Sequence, residues 1–280
     1  MPGCKNQSNT KESSNKYEKG TFGYDYEFIS SNRDVILLED NTSNTFVLTS
    51  PELQGRVLTS SFNGMEGQSL GYINHERIAS EELRPHSQGY GGEDRIWLGP
   101  QGGQFSIFFH PGDEFNFENW FTPAAMDSEP FDLIEKSKSS VKYRKKMSLT
   151  NYVNKTFDVK IDRTIRLIDK EETINILGLE NIDKLKYVGF ESGNELSNTG
   201  TTIWDKEDGL LSIWILGMFP GGSTIIVPYK ENDIKNTGQV YNEYFVELIG
   251  GMDEDQIQTK DGRIFYNGSG NHIGKIGVEA

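Results

Sequence analysis

From Tyr24 onward, apolar residues recur in short clusters whose dominant period is two. In Phe157-Asp158-Val159-Lys160-Ile161 each apolar side chain is followed by a charge, so an extended strand here has one oily and one wet face. Arg163 to Ile168 and Glu172 to Leu177 flank the polar turn Asp169-Lys170-Glu171 and predict a β-hairpin, with Ile174-Asn175-Ile176 continuing the alternation. Leu185 to Phe190 reads as a strand. Leu211 to Leu216 is nearly all apolar and predicts a strand that lies deep. Thr224 to Val227 and Tyr244 to Ile249 add two more, and Thr45 to Thr49, Arg56 to Ser60 and Phe105 to Phe109 are further candidates. Residues 34 to 40 read as one turn of helix. No stretch holds a 3.6-residue period over three turns.

About ten short strands punctuated by Gly, Asn and Asp predict an all-β domain, a sandwich or a barrel. Residues 1–18 are dense in Ser, Asn and Lys and carry no apolar periodicity, which predicts a disordered polar tail ahead of one domain, 19–280. No linker or internal repeat divides that domain. Gly274 to Ala280 reads as a strand that stops without a turn, so a truncated C-terminus with missing partner strands is expected.

Composition narrows the partners. A net charge of -14 repels phosphates and anionic lipid, which excludes nucleic acid as the main partner and leaves neutral, polyhydroxylated or cationic ligands. Aliphatics are sparse, so the 16 Phe, 12 Tyr and 4 Trp must supply much of the core. The single cysteine, Cys4, allows no internal disulfide. It follows Met1-Pro2-Gly3 and precedes a polar run, Lys5 to Lys16, like a processed bacterial lipoprotein N-terminus. That reading predicts lipidation at Cys4, a periplasmic or outer-membrane location, and membrane contact only through this anchor. The other reading is an incidental thiol. Neither a complete signal peptide nor a run of about 20 apolar residues is present.

GxxxxGK[ST], HExxH and Gly-x-Ser-x-Gly are absent, as is any Cys/His cluster, so no cofactor and no metal are expected. Gly268 to Gly274 misses the dinucleotide-binding spacing by one residue. The densest candidate chemistry is His86 to Trp97. Gly91-Gly92 permits a tight turn and close backbone approach. Glu93 and Asp94 can accept from sugar hydroxyls, Arg95 can donate in a rigid fork, and Trp97 can offer a face to a pyranose. The plainer reading pairs Arg95 internally and puts Trp97 in the core. Glu191 to Gly200 reads as a loop at a sheet end, where Glu191 and Asn194 could hold a polyol or simply make turns. The aromatic run Phe115 to Phe121 reads as core or as the lining of a cleft beside Glu118 and Asn119. His75, His110 and His272 each stand alone in the sequence.

The run Gly91-Gly92-Glu93-Asp94-Arg95-Ile96-Trp97-Leu98-Gly99-Pro100, followed by Gly102 to Phe109, is similar to an uncharacterised bacterial family related to the aldose 1-epimerases. Asn194 to Gly200, Gly209 to Phe219 and Gly55-Arg56-Val57 carry the same resemblance, which runs from about residue 45 to the end. It implies a galactose-mutarotase-like fold, a large antiparallel β-supersandwich with a sugar-sized cleft. It also implies a histidine acid and a carboxylate base on opposite sides of one sugar. Asn194 to Gly200, nearest to the epimerases' Thr-Asn-His motif, holds no histidine. The implied set here is therefore His86 as acid, Glu93 or Glu191 as base, and Asp94, Arg95, Trp97 and Asn194 around the substrate. The expected function is carbohydrate binding or processing, with aldose 1-epimerase-like isomerisation if it is an enzyme. The alternative is a non-catalytic, surface-tethered binding or scaffold protein of the same fold. A lyase or hydrolase accessory domain is a third reading.

Overall fold

The computed structural model describes residues 16–229 and 256–268. Within them antiparallel strands dominate, and the fold is an all-β sandwich with few helices. Three strands, β1 (Ile36–Asp40), β2 (Thr45–Ser50) and β3 (Arg56–Ser61), form one sheet in sequence order. A second sheet is formed by β5 (Asp132–Lys136), β6 (Ser140–Thr150), β7 (Thr156–Leu167) and β8 (Phe190–Asn198). Between these sheets in the chain lies β4 (Arg95–Gly99), which pairs with β9 (Ser212–Leu216). A small sheet in the order β10 (Thr224–Pro228), β12 (Arg263–Asn267), β11 (Ile257–Lys260) completes the described strands.

The period-two pattern decides what each strand buries. On β7, Phe157, Val159, Ile161, Arg163 and Ile165 are buried on one face, against Val141, Tyr143, Met147 and Leu149 of β6. Leu38, Val47, Val57, Ile96 to Leu98 of β4 and Ile107 to Phe109 belong to the same main core. The first sheet is covered on both faces, which is why β2 and β3 are buried at every position. Its second face, with Phe46, Leu48 and Leu58, packs against α1 (Phe22–Ser30) and α2 (His75–Ala79).

Several sequence expectations are corrected. The predicted hairpin after β7 is instead a helix, α4 (Lys170–Leu177). Asp169 accepts from the Glu172 N–H at its N-terminus, and Gly178 ends it at φ 62°. Asp-x-x-Glu before an apolar pair is a helix-start signal, and it outweighs the short alternation. Residues 34 to 40 are not a helical turn, because Ile36–Asp40 is held by the ladder to β2. Leu185 to Gly189 is irregular and the strand begins at Phe190, so Glu191 to Asn198 is an edge strand among the described residues and not a loop. Phe105 to Phe109 is irregular, with Phe105 half-buried and the other four residues buried. The strand at Leu211 to Leu216 is real but not deep: Ile213 and Ile215 are 39% and 47% exposed, since β9 lies beside β4 and turns only its other face, with Trp214 and Leu216, to the main core. Cys4, Tyr244 to Ile249 and Gly274 to Ala280 lie outside the described residues.

No helix among the described residues is long and apolar enough to cross a membrane. None of their acidic, His or Cys side chains cluster in a way that could hold a metal ion.

Candidate functional site

The approach to β4 is a backbone crossing that only glycine fits. Gly91 and Gly92 have φ of 92° and 110°. A Cβ on Gly91 would stand 2.1 Å from the Tyr72 carbonyl oxygen, and one on Gly92 2.7 Å from Cδ of Arg56. Hydrogen bonds from the Gly92 N–H to Tyr72 O (2.8 Å) and from the Glu93 N–H to Val57 O (2.9 Å) fix this crossing against its neighbours. The turn thereby fixes where the next three charged side chains go.

Those three part company. The Glu93 carboxylate accepts from the Ser60 N–H (2.6 Å) and the Ser60 hydroxyl (2.9 Å). Burial pushes its carboxyl up to about 7, against the pull of the Ser60 hydrogen bonds, and the nearby Asp94 charge adds to the rise. Asp94 turns to the second sheet, where it pairs with the fully buried Arg163 and accepts from the Ser192 hydroxyl at 2.8 Å. Arg163 also donates to Asn194 Oδ1 (2.6 Å) and Gly55 O (2.9 Å). Arg95 pairs with Asp127 at 2.5 Å, and its guanidinium lies 4.1 Å above the Trp97 ring.

The candidates predicted from sequence therefore do not form one constellation. Asp94 and Asn194 are brought together, through Arg163, a residue the sequence reading missed. Its signal was a lone charge in the apolar row between Ile161 and Ile165. Glu191 is not among them: alternation along β8 turns it outward, to an ion pair with Arg166 (2.6 Å) that Arg166 shares with Glu172. Trp97 is 2% exposed and stacks on Phe108, so it offers no face to a ligand. Arg95 is equally internal.

His86 lies elsewhere, in an aromatic stack that climbs from the core to the surface. Trp97, Phe108 and Trp120 follow one another at centroid spacings of 5.5 and 5.2 Å, with planes within 18°. Phe117 continues the stack from Trp120, and His86 lies 4.4 Å from Phe117 and 4.9 Å from Phe121. The His86 Nδ1 is 2.6 Å from the Trp120 carbonyl oxygen, which can only accept, so Nδ1 donates there and Nε2 takes no part in that bond. A short 3₁₀ turn, Phe117–Asn119, begins at Asn116, whose side chain accepts from the Asn119 N–H. At the rim, Phe115, Phe117 and Phe121 are 52%, 49% and 38% exposed, with Glu114 and Glu118 also at the surface. The sequence run Phe115 to Phe121 is thus core at Trp120 and surface at its three phenylalanines.

Two surface hollows lie apart from these groups. One of about 450 Å³ is bordered by Asp40, Thr45, Ile168, Asp169 and Tyr187. The other, about 340 Å³, is bordered by Val35 to Leu37 and Lys136 to Lys138. Neither carries any of the candidate residues.

A family model described as a family of unknown function, DUF6786, matches residues 20–280. No curated protein matches the chain. Among solved structures, the Slr1438 protein of Synechocystis sp. PCC 6803 is similar at 18% identity over 49% of this chain and 50% of that one, with a TM-score of 0.28. At that level the likeness carries no structural argument.

Proposed function

The chain belongs to the DUF6786 family, and we propose that this member binds carbohydrate through the aromatic shelf around His86. The observation that carries the reading is the exposure of Phe117 and Phe121, both in contact with the His86 ring, at the end of a stack anchored in the core. Rings held by packing lose little freedom when a ligand arrives, and the C–H face of a pyranose is the apolar surface they suit. Asn116, Glu118, Asn119 and the free Nε2 of His86 provide polar groups for hydroxyls beside that face. The sandwich architecture and the resemblance to relatives of the aldose 1-epimerases support the same reading, with a mutarotase-like lineage as its finer form. Tethering through a lipid on Cys4 belongs to the proposal, and an unacylated N-terminus in protein from the native host would remove it.

The test is a thermal-shift screen of the full chain against monosaccharides, uronic acids and short oligosaccharides. A ligand of the native state raises the midpoint. Phe117→Ala and Phe121→Ala should each weaken the hit about tenfold. A hit untouched by both substitutions moves the site elsewhere, and silence across the panel overturns the carbohydrate reading.

A second reading, sugar isomerisation, is favoured by one observation. Glu93 holds a carboxyl whose proton is exchangeable near neutrality. Against it, the contacts of Glu93 and His86 do not overlap, whereas the chemistry needs acid and base on one sugar. Anomer exchange that survives in Glu93→Gln removes this residue from any mechanism.

A further inference from the structure

The antiparallel bridge between Val57 and Asp94 sets Arg56 directly across from Arg95. Both are in the interior, 1% and 5% exposed. Like charges opposed across strands repel, and a buried cation needs a counter-charge. Arg95 has one in Asp127. The third buried guanidinium nearby, Arg163, has Asp94. Arg56 has no ion pair of its own: its two bonds go to neutral acceptors, the Gly91 carbonyl (2.7 Å) and Gln54 Oε1 (3.2 Å), with the Tyr90 ring beneath it, and the one carboxylate whose charge reaches it is Asp127, already bonded to Arg95.

A separate observation concerns hydrogen bonds. The Nε–H of Arg56, the Nε–H of Arg95 and the Nε1–H of Trp97 are all buried without an acceptor. Arg56 and Arg95 are cross-strand neighbours, and the Arg95 guanidinium lies against the Trp97 ring. Buried polar groups without a partner are rare. Three of them here belong to adjoining side chains, and all are donors. What satisfies donors alone beside two buried cations that share the single carboxylate of Asp127 is an acceptor that carries negative charge.

We propose that the Arg56–Arg95 pair binds a small monovalent anion, a carboxylate or a halide, with Trp97 Nε1 as a further donor. Burial, and next the Arg95 charge, push the Arg56 guanidinium well below its ordinary range against the pull of Asp127, a cost that a bound anion offsets further. The site is separate from the aromatic shelf and does not depend on sugar binding.

The experiment compares full-length protein in sodium chloride, formate, acetate and methanesulfonate at one ionic strength. Formate or chloride should raise Tm saturably, by about 5 °C at a hundred times Kd, with the bulkier methanesulfonate ineffective. The order of chloride and formate tells halide from carboxylate. Arg56→Met should lose the increment. If that variant does not fold, line broadening of the chloride NMR signal by the wild-type protein, competed by formate, reads the same site. A Tm that is equal in all four salts overturns the proposal, as does an increment retained in Arg56→Met or chloride broadening that formate does not compete.

Discussion

Glu93 is held by Ser60 alone: one carboxylate takes both the backbone N–H and the hydroxyl of a residue on the neighbouring strand, with no cation bonded to it. Ionising Glu93 is therefore opposed by burial and helped only by hydrogen bonds. Its carboxyl reaches about 7 against an ordinary 4.5. The folded state binds this proton more tightly than the unfolded chain does. The resulting stability is complete below about pH 4.5 and is lost as pH rises through 7. The loss should amount to about 3 kcal/mol. Urea unfolding at pH 5 and pH 8 measures it, and Glu93→Gln should flatten the difference over that window. Asp162, held low by Lys160 and Arg144, acts in the opposite sense only at more acid pH.

Arg163 and Asp94 tie the second sheet to the start of β4. Removing one partner leaves a buried charge, so Arg163→Met or Asp94→Asn should cost about 3–5 kcal/mol. The double variant should cost clearly less than the sum of the two. An additive result in chemical denaturation would mean that the pair does not act as a unit.

Trp97 and Phe117 belong to one aromatic stack and should respond in opposite ways. Trp97→Ala opens a core cavity and should lower stability by about 3–5 kcal/mol. Phe117→Ala should cost less than about 1 kcal/mol and fall instead on the affinity for sugar. Melting curves and the thermal-shift hit separate the two.

Gly91→Ala should prevent stable folding or lower Tm by more than 10 °C, on the order of several kcal/mol. The cause is contact with a backbone oxygen in a left-handed conformation, and neither can relax cheaply. A melt close to that of the wild type would show that the crossing beside Tyr72 is loose.

Much of the fold was legible in the sequence because alternation survives wherever one face of a strand is buried. The row from Phe157 to Ile165 is the clear case. Legibility failed where a local cap competed with a short alternating run, as at Asp169, and where a ladder accepted a poor strand former, as along Glu191 to Asn198. The candidate site was legible as residue types but not as a constellation. Glu93, Asp94 and Arg95 are adjacent in the chain, yet the irregular backbone before β4, where the Glu93 and Asp94 N–H groups share the Val57 carbonyl, leaves each with a different partner. Whether an aromatic run lies inside or outside depends on which rings meet the core, and Phe115 to Phe121 does both.

The inward row of β7 has one further consequence. Every member of it except Arg163 would be equally content one place along from its neighbour. A sheet of interchangeable aliphatic rows can settle in more than one alignment, but a guanidinium that must reach Asp94, Asn194 and Gly55 together has one address. A slip by two residues, which keeps the apolar row inward, would put Ile161 or Ile165 in the place of Arg163 and leave Asp94 without its counter-charge. Arg163 thus works as a registration mark, telling apart alignments that the apolar row alone leaves equivalent.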